Sequence, residues 1–300
     1  AQVWREVLDT ERFGVFDDFF DLGGHSLLAV RVVARLRRTF GVELPLRGLF
    51  EARTVAGLAR EIDALRSVGR GVALAGIVSA RRPGPVPLSF AQRRLWFLHK
   101  LEPDLAAYNM PAAHRIHGPL HVALFERALH QIIHRHEVLR SAVVEIGGEP
   151  MQQIQPNAAL HVPVIDLSAL PAEQGEREVA RYSNEDAEQS FDLATAPLMR
   201  AKVLRLGGRE HVLLLNFHHI VCDGWSLAVF YRELAGLYGA LLEGRDSALA
   251  PLPAQYADFA VWQREWLQGP MQDKLIAYWR DALAGLPTLE LPADPPHPTA

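Results

Sequence analysis

The stretch HVLLLNFHHIVCDGWS, residues 211–226, joins an apolar run to two histidines, an Asp-Gly pair and the start of a helical pattern. Its first seven residues are apolar enough to predict a strand covered on both faces. From Ser226 to Leu242 helical spacing resumes through Leu227, Phe230, Leu234, Leu237 and Leu241. A buried strand entering a helix through a polar turn is the repeating step of an α/β layer structure. Upstream segments supply the rest of that layer. Residues 120–140 carry Leu124, Ala128 and Ile132 four apart, with Phe125, Leu129 and Ile133 beside them, which predicts a helix with one buried face. Ser141–Ile146 and Met151–Gln155 flank GGE, while Ala201–Leu206 and His211–Phe217 flank GGR; both pairs read as hairpins through glycine turns.

The polar turn holds the densest chemistry in the chain. Successive strand residues face opposite sides, so continuing the strand through His218 and His219 sends one into the body and the other toward a cavity. That opposition argues against a metal site built from His218, His219 and Asp223. A purely structural pair of histidines beside an Asp-Gly turn is the plain alternative. General acid-base work is the favoured one, because histidine exchanges a proton near neutral pH and a nearby carboxylate can orient it. Cys222, among bulky apolar neighbours, reads as filler rather than as a nucleophile.

Composition narrows the partners. Three hundred residues at 49% hydrophobic content support more than one core, and chains of this length hold about two domains. Basic and acidic residues number 31 and 35, a formal net charge of −4, so no broad field attracts nucleic acid or an anionic membrane. The single cysteine excludes an internal disulfide and points to a reducing, cytoplasmic setting. The opening AQVWREVL is no secretory leader, and no apolar window of about 20 residues occurs. With no initiator methionine, the sequence is expected to be a piece of a longer chain.

Residues 1–66 read as a small helical unit. One helix runs over about Gln2–Leu8; a second follows Ser26, with Ala29, Val33, Leu36 and Phe40 as its stripe and Gly41 as its stop; a third opens at the N-cap Thr54 and carries Val55, Leu58, Ile62 and Leu65. Ser26, in DLGGHSLLAV (residues 21–30), allows three readings. It can cap the helix. It can be a hydrolase nucleophile, which the acidic, aromatic VFDDFF before it disfavours. Or it can carry a covalent phosphodiester, which the positive end of a helix accommodates. Residues 67–87, rich in Gly, Pro and small side chains, form a linker.

The segment FFDLGGHSLLAVRVVARLRRTFGVELPLRGLFEARTVAGLA resembles the peptidyl carrier domain of nonribosomal peptide synthetases. The chain from Leu88 onward resembles their condensation domain: LSFAQRRLWFL (88–98), RHEVLRSAV (135–143) and NFHHIVCDGWS (216–226) match three of its motifs in order. The resemblance implies a multidomain chain, an all-α four-helix-bundle carrier followed by a two-layer α/β, chloramphenicol-acetyltransferase-like condensation lobe. It places the carrier at 1–66, the first condensation lobe at 88–260 and the incomplete start of the second lobe at 261–300.

It also implies chemistry. Ser26 takes the place of the serine that holds 4′-phosphopantetheine, attached by a phosphopantetheinyl transferase and loaded by an upstream adenylation domain. A downstream acceptor carrier brings the amine. His219, the second histidine of HHxxxDG, is then the catalytic one, either a base or a group that positions the amine. Asp223 becomes a structural residue paired with Arg140, Gly224 a point of close backbone approach or a tight turn, and His218, the first histidine of the motif, is counted with them in the catalytic set. A carrier followed by an epimerization domain is the rival, disfavoured by GGHS and DGWS; a carrier that only presents substrate is the non-enzymatic one.

Overall fold

The structure, a computed structural model, describes residues 1–10, 12–42, 44–67, 77–79, 82–245 and 249–287. It divides into two units, Ala1–Gly76 and Ile77–Ala300. In the first, the predicted helices are α1 (Gln2–Leu8), α2 (Ser26–Phe40) and α4 (Val55–Ser67), with the short α3 (Leu46–Ala52) between the last two. Burying Ala29, Val32, Val33 and Leu36 seats α2 against Trp4, Phe19, Leu49 and Ile62. Phe40, expected on that stripe, is 42% exposed. Gly41, at φ 64°, stops α2 there, and Val42 and Leu44 enter the core in its place. Thr54 is the predicted cap, its Oγ1 accepting the Gly57 N–H at 3.0 Å.

The second unit begins with β1 (Val86–Pro87), α5 (Phe90–Leu101), β2 (Asn109–His117) and α6 (Val122–Arg135), followed by a 3₁₀ turn at Glu137–Arg140. Next come the hairpin β3 (Ser141–Ile146) and β4 (Glu149–Ile154), then β5 (Val164–Asp166) and α7 (Ala172–Glu188). The hairpin β6 (Met199–Gly207) and β7 (Glu210–His218) leads into α8 (Gly224–Leu242), α9 (Tyr256–Trp266) and α10 (Pro270–Ala282). Both glycine-turn hairpins thus form where the sequence places them.

Four strands order as β2-β7-β6-β5, with only the β5–β6 pair parallel; three more order as β1-β4-β3. The apolar run of β7 lies inside the larger sheet and is buried along nearly its whole length. Leu213, Leu215 and Phe217 join the core that includes α6 and α8, while Val212 and Leu214 join a second core with Val179 and Tyr182 of α7. The period of two therefore sends alternate residues of one strand to opposite helices.

Two of the expected boundaries fall within ordered structure. Residues 68–76, 80 and 81 of the linker lie outside the described residues, but its end is ordered structure: Val86 and Pro87 pair with Gln152 and Met151. Before them Arg82 meets Glu137 at 2.7 Å and the fully buried Asp258 carboxylate at 3.0 Å. At the other end, residues 260 and 261 are consecutive within α9, whose Arg264 Nε donates to the Leu88 carbonyl and whose Gln263 accepts the Phe90 N–H. By contrast α10 buries no residue.

Candidate functional site

His218 and His219 divide as strand geometry requires. His218 is the last residue of β7 and is buried, while His219 lies in the turn beyond it and is exposed. The turn is held at three points. The Ile220 N–H donates to His218 Nδ1 at 3.0 Å, the Val221 N–H to the His218 carbonyl at 3.0 Å, and the His219 N–H to the Tyr108 carbonyl at 2.8 Å. Burial, reinforced by nearby His99 and His219, pulls the His218 imidazole down to about 4. It is neutral at pH 7, and because Nδ1 accepts, its proton sits on Nε2. His218 thus fixes the turn that presents His219. Burial pushes the Cys222 thiol up to about 12, which keeps it protonated and unreactive.

Asp223 is the N-cap of α8. Its Oδ1 accepts from the Ser226 N–H at 2.7 Å and the Ser226 hydroxyl at 2.5 Å. The expected pair with Arg140 is not formed. Arg140 ends the 3₁₀ turn, donates to the Gln155 carbonyl at 2.5 Å and stands 3.8 Å from Glu137. It also lines a different cavity, with Pro156 and Ala158. The carboxylate is turned to its own helix end and the guanidinium to the end of β4, so neither strands the other. Gly224 opens α8, and a Cβ built there meets nothing within 4 Å. No tight turn demands glycine here; the space beside its Cα is open.

His219 and Asp223 line one cavity of about 260 Å³ together with Arg94, Tyr108 and Tyr256. Val138, Val221, Cys222, Ser226 and Tyr256 also wall an adjoining apolar cavity of about 250 Å³, which Phe217, Trp225 and Val229 help to line. Tyr108 and Tyr256 were not singled out from sequence. The available signal was aromatic spacing in YADFAVWQREW, where Tyr256, Phe259, Trp262 and Trp266 follow one another on one helix face. Among the described residues no group of three or more His, Cys, Asp or Glu side chains gathers as metal ligands.

Ser26 is exposed on the first unit. It is the first residue of α2, not its cap: His25 holds the cap position with extended φ and ψ (−138°, 173°) and makes no side-chain cap bond. The Ser26 hydroxyl is therefore not spent on capping. The preceding glycines shape this entry. Gly23 has φ +89°, and a Cβ on Gly24 would stand 2.3 Å from the Phe19 carbonyl oxygen and 2.5 Å from its ring, a fully buried ring. An exposed hydroxyl beside uncapped helix N–H groups suits a phosphodiester.

A helical unit offering such a serine, joined to an α/β unit with a histidine turn over a cavity, defines a carrier fused to an acyl-transfer type of fold. Residues 83–300 match the family model described as Condensation domain and residues 1–62 that described as Phosphopantetheine attachment site. The chain belongs to the condensation-domain family and carries a domain for covalently attached 4′-phosphopantetheine, the multidomain organisation expected of nonribosomal peptide synthetases. It is 49% identical over 299 residues to one of the subunits of linear gramicidin synthase from Brevibacillus parabrevis, covering 99% of this chain and 4% of that protein. It is 43% identical over 301 residues to a dimodular nonribosomal peptide synthase of Bacillus subtilis (strain 168), covering 98% and 12%. The chain thus spans a small part of these relatives. Among solved structures, the X-domain in complex with OxyB from teicoplanin biosynthesis aligns with TM-score 0.65 and 31% identity, over 75% of this chain and 50% of that one. The first condensation domain of the CDA synthetase aligns with TM-score 0.60 and 27% identity, over 69% and 52%.

Proposed function

We propose that this chain joins an acyl group carried on Ser26 to the amine of a second, carrier-bound amino acid, forming an amide. The observation that carries this is the pairing, in one chain, of an exposed serine at an uncapped helix start with a histidine held by a braced turn over a cavity. Bound to Ser26, phosphopantetheine supplies the thiol that holds the acyl group as a thioester. His219, whose ring makes no hydrogen bond among the described residues, accepts a proton from the attacking amine or orients it. The N–H groups of Gly224 and Trp225, which the Asp223 cap leaves to the start of α8, stabilise the negative charge that develops on the carbonyl oxygen. Asp223 keeps that helix end in place, and His218 keeps the turn. Arg140 supports the join between the 3₁₀ turn and β4.

A phosphopantetheinyl transferase, an adenylation domain and an acceptor carrier are the partners this reading requires, in the cytoplasm, where a lone cysteine stays reduced. No helix among the described residues is long and apolar enough to cross a membrane. We assign the chain from Leu88 through α9 to the first condensation lobe and the part from α10 onward to the start of the second. Two features support this: the solved neighbours are aligned over about half their length, and α10 exposes Ile276, Tyr278 and Trp279. The family match is to condensation, which does not favour epimerization. Incubation with CoA and a broad-specificity phosphopantetheinyl transferase is expected to add one arm, mapped to Ser26 by peptide mass. An adduct that survives Ser26→Ala overturns the assignment.

A further inference from the structure

Ser89 and Tyr256 meet oxygen to oxygen at 3.0 Å across 167 residues of sequence. Ser89 caps α5, where its Oγ accepts the Gln92 N–H at 3.2 Å, and it is wholly buried. A buried hydroxyl places its one hydrogen on an acceptor. Among the described residues the only other hydrogen-bond neighbour of Ser89 Oγ is Tyr256 Oη, so the serine donates and the phenol oxygen accepts. The phenol's own hydrogen must then point elsewhere, and no protein acceptor lies within its reach among the described residues. Asp223, which lines the same cavity, makes its hydrogen bonds through Oδ1 to Ser226 and none to Tyr256. Burial holds the phenol above its ordinary range, so at neutral pH it keeps that hydrogen.

We propose that Tyr256, oriented by Ser89, donates a hydrogen bond to a carbonyl oxygen of the acyl substrate in the His219 cavity. This rests on the amide-forming reading above, and adds a catalytic residue and a positioning residue to it. The strong acceptors an acyl thioester offers next to its reacting carbon are carbonyl oxygens, and Tyr256 supplies an unspent donor in the same cavity as His219. The ring also walls the adjoining apolar cavity. A carbonyl held at the phenol therefore sets the apolar substituent of the acyl group beside Phe217, Trp225 and Val229, which favours substrates with apolar side chains.

The test uses the full-length protein that carries this chain. Tyr256→Phe keeps the ring and removes the donor. Dipeptide formation in single turnover should fall at least tenfold, and the infrared band of a 13C-labelled thioester carbonyl should move to higher frequency than in the wild type. Ser89→Thr, which keeps the hydroxyl, should preserve both readouts, and Ser89→Ala should shift the band part of the way. Should Tyr256→Phe fold poorly, 3-fluorotyrosine at position 256, a stronger donor, should move the band to lower frequency. Wild-type rate and band position in Tyr256→Phe, with only the melting temperature lowered, would overturn the proposal and leave the amide-forming reading standing. If instead wild type and His219→Ala are equally inert, the amide reading fails, and a carbonyl band indifferent to Tyr256→Phe overturns this proposal separately.

Discussion

Acidification should loosen the turn that presents His219, and the cause is His218. Its buried imidazole titrates at about 4 in the folded protein, against about 6.5 in an unfolded chain. Between those values the unfolded chain binds more protons, so stability rises with pH and is lost as pH falls. The penalty is about 0.2 kcal/mol at pH 7 and about 2 kcal/mol at pH 5, and it levels off near 3 kcal/mol below pH 4. His218→Asn isolates this contribution, because Asn Oδ1 takes the place from which Nδ1 accepts the Ile220 N–H and does not titrate. Urea unfolding, followed by tryptophan fluorescence at pH 7 and pH 5, gives four free energies. Wild type should lose about 2 kcal/mol more than His218→Asn between the two conditions, since other titrating groups cancel in the difference. Equal losses in the two proteins would refute the reasoning.

Three further substitutions separate shape from chemistry. Gly24→Ala forces a methyl against the Phe19 carbonyl and its buried ring, and should destabilise the first unit by about 1 to 3 kcal/mol in a thermal melt. Asp223→Ala should cost about 1 kcal/mol in urea unfolding, the loss of a helix cap, rather than the about 3 to 5 kcal/mol of a broken buried ion pair. Gly224→Ala should leave stability within about 0.5 kcal/mol of wild type, yet lower dipeptide formation at least tenfold, because the methyl occupies the open space beside the Gly224 Cα.

The strand, turn and helix around residues 211–226 were legible because period and polarity change together there, and the inward and outward histidines followed from the strand period alone. The elements that escaped carry weak local signals. Pro111, His114 and Arg115 hide β2, an edge strand exposed along much of its length, and a two-residue strand at Val86–Pro87 looks like linker until β4 pairs with it. Seven residues after Pro45 are too few for α3 to show a period. The resemblance implies a pair of Arg140 with Asp223, but which groups face each other in this chain depends on where the 3₁₀ turn points. That is tertiary information. The Ser89–Tyr256 contact is of the same kind, since nothing local to either residue announces the other. The sequence opens the second helix after Ser26 and allows Ser26 as its cap, whereas His25 takes the cap position and Ser26 is the first helical residue.

Dipeptide formation from an aminoacyl thioester on Ser26 and an acceptor on its own carrier, followed by mass spectrometry in the full-length protein, tests the central claim most directly. His219→Ala should load Ser26 as well as wild type does and make amide about 100- to 10,000-fold more slowly. Amide formed at the wild-type rate by His219→Ala would contradict it.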